Sequence, residues 1–90
     1  MEARNRVRIV NHKGLHARPC HAIVSAALEF SSDLRVALDG NDVNGRSILE
    51  LMTLSAPVDT VLSLRAEGDD ADLLIARVSA LIESGFDEVD

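Results

Sequence analysis

The sequence predicts a small α/β domain in which one sheet is covered on one face by helices. Three observations carry this. Strand-like segments alternate apolar and polar residues with one consistent apolar side. Other segments repeat apolar residues at spacings of three and four, as a helix with one buried stripe does. The segments follow as strand, helix, strand, strand, helix, strand, helix, with no linker, repeat or low-complexity stretch between them. Ninety residues suffice for one compact domain, so the whole span 1–90 is expected to fold as a single unit.

From Arg4 to Val10, the arginines Arg4, Arg6 and Arg8 share one parity while Val7 and Ile9 take the other, which predicts a strand with one wet face. A polar loop, Asn11 to Gly14, follows. A helix is expected over Ala17 to Glu29, with Cys20, Ile23, Val24, Ala27 and Leu28 as its stripe. Pro19 is tolerated only in the first turn, where its missing N–H has no helical partner anyway, and this puts the helix start at His16 and Ala17. Leu34, Val36 and Leu38 alternate in a second strand. Asp39-Gly40-Asn41 signals a hairpin returning through Asp42 to Asn44. Ser47 and Glu50 have capping-box spacing and open a short helix from Ile48 to about Ser55. Leu62, Leu64 and Ala66 mark a fourth strand over Thr60 to Ala66. After a turn at Gly68-Asp69, Asp69 or Asp70 caps a last helix through about Glu83. Its stripe is Leu74, Val78 and Leu81, widened by Leu73, Ile75 and Ile82, and Gly85 ends it. The tail from Phe86 to Asp90 is expected to fray.

Composition narrows the function classes. Fifteen acidic against nine basic residues give a formal charge of -6, which argues against a nucleic-acid binder. The charge is segregated: most arginines lie in the first half, and Arg77 is the one basic residue from Glu67 to Asp90. There is no Trp or Tyr, and Phe30 and Phe86 are the only aromatics, so the sheet lacks the stacking platform of an RNA-binding module. A single cysteine excludes an internal disulfide and a multi-cysteine zinc site and suits a reducing compartment. The N-terminus does not read as a signal peptide, and no apolar run approaches the ~20 residues of a membrane span. A cytoplasmic protein without membrane insertion is expected.

The chemistry concentrates where the first helix begins. Backbone N–H groups there lack intrahelical partners, and the helix dipole favours negative charge. An anion at that end is held by backbone groups, and Arg18 adds a guanidinium fork suited to phosphate oxygens. His16 stands at this point, so a phosphoryl group carried on its ring would be received by a ready anion site. On chemistry alone, a histidine at a helix start is more often an ordinary exposed residue or cap. A metal site is disfavoured, because no acidic residue or cysteine joins His12, His16 and His21 at a familiar ligand spacing. Cys20 four residues on permits a nucleophile beside a histidine, but its place in the apolar stripe reads better as a small buried hydrophobe.

The run Asn11-His12-Lys13-Gly14-Leu15-His16-Ala17-Arg18-Pro19 resembles the active-site signature of the HPr family, the histidine-containing phosphocarriers of the bacterial phosphoenolpyruvate-dependent sugar phosphotransferase system. Two further stretches agree in spacing: Gly45 to Leu54, where Ser47 opens a short apolar helix, and the late turn Ala66 to Asp69. The resemblance covers about residues 4–84. It implies an open-faced β-sandwich, four antiparallel strands with three helices on one face. It implies phosphorylation of His16 on Nδ1 by phosphorylated Enzyme I, stabilisation by Arg18, a helix start shaped by Ala17 and Pro19, and Enzyme IIA domains as acceptors. Ser47 matches a serine modified by HPr kinase/phosphorylase in part of the family, and Ile48, Leu49, Met52 and Thr53 match its docking surface. The protein would be a stoichiometric carrier rather than an enzyme, a monomer needing no cofactor or metal. The departures are His12, Cys20, Ser55 in place of a frequent glycine, and a more acidic chain; they leave open a regulatory or nitrogen-related paralogue with the same chemistry.

Overall fold

The computed structural model describes residues 1–87. The elements are β1 (Glu2–Arg8), α1 (Ala17–Ala27), β2 (Asp33–Leu38), β3 (Asn41–Asn44), α2 (Ile48–Met52), β4 (Val61–Glu67) and α3 (Ala71–Glu83), followed by a short 3-10 turn at Gly85–Asp87. The strands form one antiparallel sheet in the order β1-β4-β2-β3. α3 packs on β1 and β4, while α1 packs against both α2 and α3. The three helices cover one face and leave the other open, as expected.

The core lies between sheet and helices. The strands contribute Val7, Leu34, Val36, Leu62 and Leu64, and the helices contribute Cys20, Ile23, Leu51, Leu74, Val78 and Ile82. These are the one-parity positions of each strand and the three-and-four positions of each helix, so local period and burial agree. At the hairpin, Asp39 and Gly40 both take positive φ, 50° and 84°. That is the backbone hand that closes a two-residue turn without splaying twisted strands.

Several boundaries shift, each for a local reason. β1 begins at Glu2 and ends at Arg8; Ile9 is still buried and exchanges backbone bonds with Thr60 and Asp59, but Val10 has turned outward. α1 stops at Ala27 rather than Glu29. Leu28 caps it and is 63% exposed, because the amides of Glu29 and Phe30 bond three residues back and tighten the chain out of α geometry. α2 stops at Met52, three residues early, through the same tightening from Thr53 to Ser55. On α3, Leu73 lies off the stripe and is 60% exposed, whereas Ile75 and Ile82 are buried. Gly85 ends α3 with φ at 72°, as its place after the helix predicts. Of the tail expected to fray, Phe86 and Asp87 lie in the 3-10 turn, and residues 88–90 fall outside the described residues.

Two caps differ from expectation. Asp70 precedes α3 but does not cap it. Its carboxylate accepts hydrogen bonds from the backbone amides of Ser31 (2.9 Å) and Ser32 (2.9 Å) and from both hydroxyls, clamping the loop after α1 to the start of α3. The Ser32 hydroxyl and the Ser31 amide hold the Asp70 carboxyl down to about 2. The box at α2 is half formed: the Ser47 hydroxyl accepts from the Glu50 amide (3.2 Å), but the Glu50 carboxylate accepts from the Asn44 amide (3.1 Å) instead of Ser47.

Candidate functional site

The loop before α1 is built to present residue 16. Asn11 is buried and its side-chain amide donates to the Gly14 carbonyl (2.8 Å), while the Gly14 amide donates back to the Asn11 carbonyl (3.1 Å). Gly14 sits at φ 67°, and a Cβ there would lie 2.5 Å from the Ala56 carbonyl oxygen. The next residue, Leu15, is buried and donates its amide to that same oxygen (2.8 Å). The loop is therefore fixed to the segment that follows α2.

His16 is half-buried and occupies the N-cap of α1 in extended conformation, φ -97° and ψ -167°. Its carbonyl accepts from the Cys20 amide (3.1 Å), closing the first turn, and its ring does not cap the helix. Ala17 and Arg18 are exposed at the first two helical positions, where amides have no intrahelical acceptor. Pro19, buried at the third, removes a donor that would be unpaired in any case. The first turn carries no acidic residue. Arg18 has no ion pair among the described residues, so its guanidinium is available to an arriving anion. His16, Ala17, Arg18 and Pro19 thus form the start of α1, where the sequence places it.

Cys20 is fully buried, and burial pushes its thiol up to about 11. A thiol so reluctant to ionise is a packing residue rather than a nucleophile. His21 points from the exposed side of α1. Among the described residues, no three His, Cys, Asp or Glu side chains converge as a metal site would require, and no helix is long and apolar enough to cross a membrane.

The second candidate region is α2. Leu51 is fully buried and anchors a helix too short to persist alone. Leu49, 79% exposed, and Met52, 41% exposed, face outward beside exposed Thr53, with Ile48 half-buried. Ser47, half-buried, begins this patch. After the helix, Ser55 takes φ 48°, a left-handed backbone that disfavours a Cβ. Asn11 and Gly14 read from sequence as the ends of a polar loop, whereas their part in fixing His16 rests on the Asn11 side-chain bond to Gly14 and on the fit of Gly14 against Ala56. The signal available was a glycine and an asparagine three apart in a four-residue loop.

A four-stranded open-faced sheet, three helices on one side and a histidine at a helix start define a small α/β carrier domain. Residues 3–84 match the family described as the PTS HPr component phosphorylation site, and the chain belongs to that HPr family of phosphotransferase-system phosphocarriers. It is 37% identical over 78 residues to the phosphocarrier protein HPr of Borreliella burgdorferi, covering 87% of this chain and 88% of that one. To HPr of Treponema pallidum it is 35% identical over 82 residues, covering 91% and 93%. A crystal structure of HPr from Thermoanaerobacter tengcongensis superposes with a TM-score of 0.92 at 40% identity, covering 98% and 99%. The family carries a phosphoryl group on a histidine and acts as a carrier, not as an enzyme.

Proposed function

We propose that His16 is the histidine that carries the phosphoryl group, accepting it on Nδ1 from phosphorylated Enzyme I and passing it to Enzyme IIA-type acceptors. The observation that carries this reading is the position of His16 at the start of α1, beside an exposed Arg18 and first-turn amides with no helical acceptor. In the transfer, Nδ1 forms a new P–N bond as the donor's bond to phosphorus breaks. The phosphoryl oxygens then meet the Ala17 and Arg18 amides and the Arg18 guanidinium, groups carried by the exposed first turn of α1. Catalysis is mostly positioning. Ile48, Leu49, Met52 and Thr53 form the docking patch for both partners; an exposed apolar cluster on so small a domain suits a binding surface. Where a HPr kinase/phosphorylase is present, Ser47 is its target.

The test is incubation with phosphoenolpyruvate and Enzyme I, read by intact mass. The wild-type chain gains one acid-labile phosphoryl group. His16→Ala gains none; if it is still phosphorylated, the assignment fails. Arg18→Ala slows transfer at least ~10-fold, about 1.4 kcal/mol of transition-state stabilisation, with melting nearly unchanged.

A further inference from the structure

The open face of the sheet has its own charge pattern, and the helices lie on the other side of it. Register aligns its outward residues in cross-strand rows. Glu2, Glu67 and Asp33 form an acidic row. The next row is Arg4, Arg65 and Arg35, three arginines side by side on β1, β4 and β2. The row after that is Arg6, Ser63, Ala37 and Asp42. Like charges directly opposite each other in a sheet are destabilising, so three arginines abreast need counter-charge.

Among the described residues, two carboxylates at the margins, Glu2 and Asp42, form the ion pairs with this row. Glu2 bonds Arg4 (3.2 Å) and reaches Arg65 at 3.8 Å. Asp42 bonds Arg35 (2.7 Å) and reaches Arg65 at 3.8 Å. Arg6 has no ion pair among the described residues. Between the two rows lies a hollow of about 570 Å³, walled by Arg4, Arg6, Arg35 and Arg65 with the small residues Ala37 and Ser63 between them. Its lining holds four arginines and one carboxylate, Asp42. The volume falls in the range of small-ligand sites.

We propose that this hollow binds a compact polyanion bearing two or more phosphate groups. Guanidinium forks match phosphate oxygens two at a time. The arginines span two rows roughly 7 Å apart, about twice the residue rise, so linked phosphates engage both rows where a single one engages one. No aromatic residue stands on the strands to stack a base, which favours the phosphates themselves as the recognised chemistry. Asp42 competes with the ligand for Arg35 and Arg65, and removing its charge takes the ion pair from Arg35 and leaves Arg65 with Glu2 alone.

Inorganic tripolyphosphate at low salt is the probe, with amide shifts of the isotope-labelled chain as the readout. Saturating shifts are expected at Ala37, Ser63 and Leu64. Asp42→Asn tightens binding about threefold, the scale of an exposed ion pair. Arg6→Gln weakens it by at least about threefold; because Arg6 is exposed and lacks an ion pair, this variant keeps its melting temperature. Saturating shifts confined to Ala17 and Arg18 would assign the anion to the helix start and overturn the proposal. So would linear, non-saturating shifts, or an Asp42→Asn chain that binds no tighter than wild type.

Discussion

Replacing Gly14 by alanine tests whether the loop before α1 sets the position of His16. The perturbation has two parts. At φ 67° a Cβ incurs the left-handed backbone penalty, about 1–2 kcal/mol. The same Cβ would stand 2.5 Å from the Ala56 carbonyl oxygen and 2.9 Å from Pro57 Cα, both backbone atoms that no rotamer change can move away. Relief requires the loop to retreat, which stretches or breaks the Leu15 to Ala56 hydrogen bond, a further ~0.5–1.5 kcal/mol. The sum, roughly 1.5–3.5 kcal/mol, lowers the melting temperature by about 6–28 °C in a domain of this size. Gly40→Ala is the control. Its φ is 84°, but nothing lies within 4 Å of the added Cβ, so only the backbone penalty applies, and its melting point falls about half as far. Thermal melts and single-turnover phosphotransfer from Enzyme I, below the melting range of both variants, provide the assay. Gly14→Ala should transfer at least ~10-fold slower, because a displacement of about 1 Å at a reacting group is costly, while Gly40→Ala transfers normally. If the two variants melt alike and both transfer at the wild-type rate, the loop does not position His16.

Further outcomes follow from the same structure. Asp70 has a folded-state value of about 2, below the ordinary 3.8, so its contribution to stability is complete above 3.8 and is lost as pH falls toward 2. Asp70→Asn should therefore melt lower at pH 7 and lose less stability than wild type between pH 4 and pH 2, and a variant that matches wild type at both ends would refute the clamp. Leu49→Glu and Met52→Glu should change stability within about 0.5 kcal/mol yet weaken Enzyme I binding, whereas Leu51→Ala, buried on the same helix, should cost about 2–5 kcal/mol. Ser47→Asp retains a cap for the Glu50 amide and adds charge beside Leu49 and Met52. Its circular dichroism should be preserved while phosphotransfer from Enzyme I slows, and wild-type kinetics would return Ser47 to a purely structural cap.

Local periodicity sets the order of the elements and most of their faces, because burial of one side imposes a period of two on a strand and of three to four on a helix. The sequence also determined where α1 begins, since Pro19 is tolerated only in a first turn. Adjacent Ile48 and Leu49 cannot both point inward from a one-sided helix, which made Leu51 a candidate for the buried side of α2, and it is fully buried. Where an element stops depends on its tertiary surroundings: Leu28 continues the α1 stripe in spacing, yet it lies past the last helical residue and is exposed. Likewise, nothing local tells whether Asp70 caps its own helix or turns to Ser31 and Ser32; the choice depends on the loop after α1 arriving alongside. The alignment of Arg4, Arg65 and Arg35 is of the same kind, since strand register depends on how distant segments pair. Spacing along the chain prescribes what each residue faces within its own element, whereas the partners it meets across elements are set by the packing of segments remote in sequence.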